Sequence, residues 1–213
     1  MPLFSIIVPH FQGAIPHNIF LRGIRCLQSQ TLQDFQLLVY HDGPLLDPSL
    51  HFPVPITPTP TRHNDFGHSL RDRGIREATG DYILHFNPDN LLYPHALQTI
   101  ADEIARPPRL LSDTGQPLDT NDIIIFPILM HGLLKFRHLT LQSKTNQNFY
   151  IILTGIPPTL QNIDAMQLVM KRSLWLAEGG WSDKSELSDG RLYQHFCQTY
   201  GHRHIGPILG EHY

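Results

Sequence analysis

The first hundred residues alternate between short runs that read as buried strands and longer runs that read as helices. This alternation restricts the fold more than any other feature. Phe4-Ser-Ile-Ile-Val8 is apolar and β-branched and stops at Pro9, as expected of a strand buried on both faces of a parallel sheet. Asn18 stands ahead of Ile19, Leu21, Ile24 and Leu27, whose spacing predicts a helix to about Ser29 with Asn18 as its cap. Phe35–Tyr40 is a second strand, and it ends in the turn cluster His41-Asp42-Gly43-Pro44. The prolines of residues 48–60 confine that stretch to an edge strand or an extended connection, because proline donates nothing to a central ladder. Residues 67–79 have helical spacing and stop at Gly80. Asp81–Phe86 is the next strand, and Pro94 opens a helix to about Ala105. A chain of this pattern is α/β, with a central, mostly parallel mixed sheet flanked by helices.

The second half is less regular. Arg106 to Asn121 is a loop rich in Pro, Gly and Asp. Ile123–Met130 reads as one strand, and Lys135–Thr140 and Phe149–Leu153 are candidates for two more. Met170–Ala177 reads as a short helix before Gly179 and Gly180. Asp189–Tyr200 is a helix with Leu192, Phe196 and Tyr200 along one stripe. No linker divides the chain, so its 213 residues read as a single domain.

Composition narrows the partners. Apolar residues make up 41% and charged residues 16%, an ordinary globular balance. The net charge of −3 provides no broad basic footprint, so no nucleic-acid partner is expected. The two cysteines, Cys26 and Cys197, form neither a disulfide framework nor a zinc spacing. There is no signal peptide and no apolar run near the ~20 residues that span a bilayer. A soluble chain in a reducing, cytoplasmic setting is the expectation, with membership of a longer multidomain protein left open. No His-Glu-x-x-His, P-loop or dinucleotide glycine fingerprint occurs, so phosphate must be held another way.

Ligands of parallel α/β sheets bind beyond the carboxyl ends of the strands. Three polar groups fall at such ends: His10-Phe11, His41-Asp42 and Asn87-Pro88-Asp89-Asn90. Delivered to one edge they form a binding site; taken singly they are turns in water.

Three blocks in order, Phe4–Pro9, Leu27–Gly43 and Ser69–Pro94, resemble the family 2 glycosyltransferases. The resemblance implies a GT-A fold of the nucleotide-diphospho-sugar transferase type. It implies one catalytic domain, with a nucleotide-sugar half at 1–94 and an acceptor-side half at 95–213. It also implies a UDP-sugar donor, Mn²⁺ or Mg²⁺, and inverting chemistry. Asp89 matches the last carboxylate of the family's Asp-x-Asp motif, which binds the cation bridging the donor diphosphate; oxygen ligation suits such a hard cation. Asn87 stands where the motif has its first aspartate. It can hydrogen-bond a ribose hydroxyl but adds no charge. Pro88 lies between them. Asp42 matches the position that reads uracil, where a carboxylate accepts a ring N–H that cytosine lacks. Pro9, His10 and Phe11 match the loop around the base, with Phe11 where many members have tyrosine. Arg71 matches an arginine on the nucleotide side, and Asp72 departs from the family's asparagine.

Asp164–Trp175, Gly179-Gly-Trp181 and Ser188–Tyr193 resemble the acceptor-side ending of the same family. Asp189 falls at its catalytic base, with Ser188 replacing a common glutamate; the other reading of Asp189 is a helix N-cap. Gly180 and Trp181 are expected near the sugar, with a buried core position as the alternative for Trp181. His212 is the candidate for a further metal ligand, with His202 and His204 as alternatives among 14 histidines. The function implied is inverting, metal-assisted transfer of a hexose from a UDP-sugar, UDP-glucose first, to a hydroxyl of a glycan acceptor. The alternatives are a non-catalytic sugar-nucleotide-binding domain of a larger glycan-synthesis protein, and a nucleotidyltransferase. The latter wants a Gly-rich basic loop, and residues 9–18 hold one glycine and no lysine or arginine.

Overall fold

The structure is a computed structural model that describes residues 1–107, 120–131, 143–145, 148–160 and 162–213. The strand expected over Lys135–Thr140 and most of the loop over 106–121 lie outside the described residues. The elements in chain order are β1 (Phe4–His10), α1 (His17–Gln28), β2 (Phe35–His41), β3 (Thr57–Pro58), α2 (His68–Glu77), β4 (Tyr82–His85), β5 (Leu91–Leu92) and α3 (Ala96–Ala105). There follow β6 (Ile123–Ile125), β7 (Ile128–His131), β8 (Ser143–Thr145), β9 (Asn148–Leu153), β10 (Leu168–Lys171), α4 (Arg172–Ala177), α5 (Ser188–Tyr200), β11 (Arg203–His204) and β12 (Gly210–His212). A 3-10 turn at Ala165–Gln167 leads into β10.

The main sheet has the order β11-β6-β10-β4-β1-β2-β3. Only β10 runs against its neighbours, β4 and β6. Every residue of β1 is buried, which explains its unbroken apolar run. Phe4, Ile6 and Val8 join a core that includes Phe20 and Ile24 of α1 and Ile100 of α3. Ile7 points to the other face, with Leu70 and Ile75 of α2, Trp175 of α4 and Phe196 of α5. Helices on both faces are the arrangement a parallel sheet requires. Strand β1 continues past Pro9 to His10. Its pairing with β4 stops at Ile7, and Ile7 C=O accepts the Phe86 N–H (2.9 Å) on that side. Pro9 has the same parity as Ile7, so its missing N–H falls beyond the last β4 partner and removes no ladder bond.

Several element boundaries differ from expectation. Helix α1 begins at His17 behind Pro16, with Asn18 inside its first turn rather than at the cap. Helix α3 begins after His95, two residues beyond Pro94. Met170 belongs to β10, not to α4. The run Ile123–Met130 is two strands in two sheets. Phe126 donates to Gln167 C=O (3.2 Å), and Pro127, which has no N–H, accepts from Leu209 (3.0 Å). The chain therefore leaves the first sheet at β6 and enters a second at β7, with the order β5-β12-β7-β9-β8. The expected central, mostly parallel sheet is present, and a second sheet accompanies it, in which β12 lies between β5 and the parallel β7. Among the described residues, no helix is long and apolar enough to cross a membrane.

Candidate functional site

Strands β1, β2 and β4 are mutually parallel, so their carboxyl ends meet at one edge. A cleft of about 630 Å³ opens there. Pro9 and His10 line it from the end of β1, and Phe11, Asp42 and Asn87, Pro88 and Asp89 from just beyond β1, β2 and β4. The opposite wall is the loop before α2, with Arg62, Asn64, Phe66 and Gly67. Gly67 has φ +80, and a Cβ there would stand 2.7 Å from Pro9 Cβ. Only glycine lets this loop approach β1 so closely.

Asp42 is buried, and its carboxylate accepts the backbone N–H groups of His63 (2.7 Å) and Asn64 (3.1 Å). The Arg62 Nε lies 3.6 Å from the same carboxylate, and the Arg62 guanidinium sits 3.7 Å from the centre of the Phe11 ring. His10 is buried against Phe20 and His41. Burial, and secondarily the charge of His41, push its pKa down to about 4, so it is neutral at pH 7.

Arg71 does not line the cleft but lies beneath it, buried, and its Nη2 donates to Asn87 Oδ1 (2.7 Å). Its Nε and Nη1 are buried without a hydrogen-bond partner. The backbone carbonyl of Asp89 accepts from Arg22 (2.7 Å), while its buried Oδ1 has no partner. Burial raises the Asp89 carboxyl above its ordinary value against the opposing charges of His212 and Arg22. His212 Nδ1 lies 3.1 Å from Asp164 Oδ2. Burial opposes ionisation of Asp164, but His212 and the Met166 N–H outweigh it and hold that carboxyl below its usual range. Among the described residues, no three His, Cys, Asp or Glu side chains form a ready-made metal group. The residues present still fit a hard cation, because Asp89 keeps a buried carboxylate oxygen unused. His204, by contrast, is engaged with Thr154 C=O (3.1 Å) from edge strand β11.

Asp189 sits in the first turn of α5, but Leu187 holds the N-cap position, so the cap reading does not hold. Its carboxylate accepts the adjacent Gly190 N–H (2.8 Å). Burial first, and the negative charge of Asp164 second, raise its pKa to about 6.

The sugar-facing expectation for Trp181 is corrected. Its exposure is 0%. One ring face stacks on Trp175 (5.5 Å, 12°) and His68 also lies stacked on the indole (5.2 Å, 12°). Its Nε1 donates to Ser188 Oγ (2.9 Å), which lies 3.1 Å from His68 Nε2. Gly180 is buried too, packed so that a Cβ would stand 2.1 Å from Asp72 Oδ1. Asp72 Oδ1 accepts the Trp181 N–H (3.0 Å), which anchors the Gly-Gly-Trp turn to α2.

Sequence reasoning assigned no role to Asp164, Arg62 or His68. Asp164 carried one signal: Asp164-x-x-Gln167 is a capping-box pattern, and the box forms, with the Asp164 N–H donating to Gln167 Oε1 (2.9 Å) and Asp164 Oδ1 also accepting the Met166 N–H (2.9 Å).

This sheet order and edge cleft define a nucleotide-diphospho-sugar transferase fold of the GT-A type. Crystal structures of S. aureus TarS share it: residues 1–349 superpose with a TM-score of 0.65 at 14% identity, covering 98% of this chain and 60% of that one. The same TarS segment in complex with UDP-GlcNAc gives 0.61 at 15% identity, covering 98% and 57%. The mannosyltransferase PcManGT from Pyrobaculum calidifontis, in complex with GDP-Man and Mn²⁺, gives 0.56 at 13% identity, covering 99% and 56%. This chain therefore spans less than two thirds of the length of these relatives. Residues 5–154 match the glycosyl transferase family 2, and the chain belongs to that family. No curated protein sequence matches it.

Proposed function

We propose that the chain is an inverting glycosyltransferase that moves a hexose from a UDP-sugar, UDP-glucose first, to a hydroxyl of a glycan acceptor. The observation that carries this reading is the convergence of Asp42, Asn87 and Asp89 on one cleft. Asp189 is not among the cleft-lining residues; its carboxyl feels the charges of Asp164 and of Arg71, which holds the cleft residue Asn87. TarS crystallised with UDP and with UDP-GlcNAc supports a uridine donor, and the Mn²⁺ complex of PcManGT supports a divalent cation.

In this reading Asp42 accepts the uracil N3–H, Phe11 packs on the ring, and Asn87, held by Arg71, meets the ribose. Asp89 and His212 would hold Mn²⁺ or Mg²⁺, which when bound neutralises charge developing on the departing UDP. Asp189 takes the proton from the acceptor hydroxyl as that oxygen attacks the anomeric carbon opposite the diphosphate. The new C–O bond forms as the bond to UDP breaks, so the configuration inverts. A cytoplasmic setting, where the free thiols of Cys26 and Cys197 stay reduced, belongs to the same reading.

The test is turnover of a UDP-sugar panel with Mn²⁺ and with chelator, comparing wild type, Asp189→Ala and Asp89→Ala. Loss in both variants is expected, and unchanged hydrolysis in both sinks the site assignment. UDP binding without turnover by the wild type would instead favour a non-catalytic sugar-nucleotide-binding domain.

A further inference from the structure

The two groups assigned above to the nucleobase share a third neighbour. Arg62 lays its guanidinium 3.7 Å from the Phe11 ring centre and its Nε 3.6 Å from the Asp42 carboxylate. It therefore occupies the ring face and the acceptor edge that a pyrimidine would use. Its side chain remains 48% exposed, so it can lift away without opening the core. Its backbone cannot leave, because the next two N–H groups, of His63 and Asn64, are both bonded to Asp42. Asn64 is also fixed at φ +56. The Arg62 backbone is thus tethered beside the base site.

Resting on the uridine-nucleotide reading, we propose that Arg62 is a nucleobase-binding residue that forms the outer layer of a Phe11–uracil–Arg62 stack. A guanidinium is planar and weakly hydrated, and it stacks on π-faces as an ammonium does not. Lifting by one ring thickness, about 3.5 Å, admits the pyrimidine between the two planes. The carboxylate of Asp42 then exchanges its Arg62 neighbour for the ring N–H. Without nucleotide, the same guanidinium shields the apolar face of Phe11 and balances the Asp42 charge. One side chain therefore serves both states.

Calorimetry with UDP and ligand-observed NMR with uridine test this on wild type, Arg62→Ala, Arg62→Lys and the exposed control Arg25→Ala. Thermal melting confirms that each variant is folded. Arg62→Ala and Arg62→Lys are each expected to weaken both ligands by about tenfold, the scale of one lost stacking partner, while Arg25→Ala matches wild type. Equal or tighter binding by Arg62→Ala would show that the guanidinium only blocks the slot. Recovery by lysine would reduce the role to charge. Weaker UDP with unchanged uridine would make Arg62 a phosphate partner. Each of these overturns the inference alone, whereas a wild type that binds neither ligand overturns it together with the uridine reading.

Discussion

Acidification should switch off turnover through Asp189. Its carboxyl, ordinarily at 3.8, is raised to about 6 by burial and by Asp164. A general base works only when ionised. If Asp189 is that base, about half the activity should remain at pH 6, and below it kcat/KM should fall about tenfold per pH unit. The assay is kcat/KM for a UDP-sugar between pH 5 and 8 at saturating Mn²⁺. Two variants identify the limb. Asp189→Asn should lose roughly 10²–10⁴-fold in rate and with it the limb. Asp164→Asn removes the second cause but not the first, so the limb should move below 6 and stay above 3.8. His10 and His68, both held to about 4 by burial, lie outside this window. A flat wild-type profile from pH 5 to 8, with an active Asp189→Asn, would refute the assignment.

The buried imidazoles make a separate prediction about stability. In the unfolded chain His10 and His68 take protons from about 6.5, but in the fold only near 4. The unfolded state then binds more protons in that interval, so stability is lost as pH falls through it. Asp189 works in the opposite sense between about 6 and 3.8 and offsets part. Urea midpoints should still be lower at pH 5 than at 7.5, and equal midpoints would contradict neutral buried imidazoles. Gly80→Ala would place a Cβ 2.5 Å from the Phe4 carbonyl carbon and 2.6 Å from Ser5 N. A loss of about 1–3 kcal/mol is expected, and a wild-type melting temperature would refute that close approach. Asp42→Asn should flatten the preference for UDP over CDP in calorimetry, and a preserved preference excludes Asp42 as the reader of the base edge.

Much of the first sheet is visible in the sequence because β1 and β4 are buried on both faces and are therefore written as apolar runs. Strand β10 is not visible. Leu168–Lys171 is almost entirely buried and only four residues long, and it runs into α4 at Arg172 with no turn residue between them, so no local signal separates strand from helix. The division at Phe126-Pro127 is hidden for a related reason. Seven apolar residues carry a single break, Pro127, and it takes Gln167 and Leu209 from distant segments to make two strands of them. The same distinction runs through the site. Asp42, Asn87 and Asp89 follow from strand ends, which the fold itself brings together. Asp164 and Arg62 gain meaning only beside His212 and Phe11, contacts that local pattern cannot encode. Trp181 after two glycines suits a sugar platform or a core equally, and packing against Trp175 and His68 decides for the core.

The position of β12 between β5 and β7 bears on how the site is assembled in time. The cleft draws on residues 9–89, so it can close while the later chain is still being made. His212 reaches Asp164 only after Gly210–His212 has threaded between two strands already far behind it in the chain, and such distant pairings form late. In the proposed reading, nucleotide recognition and cation handling would then mature separately. On that reading, a nascent or partly unzipped molecule would have the cleft residues in place while His212 had yet to reach Asp164.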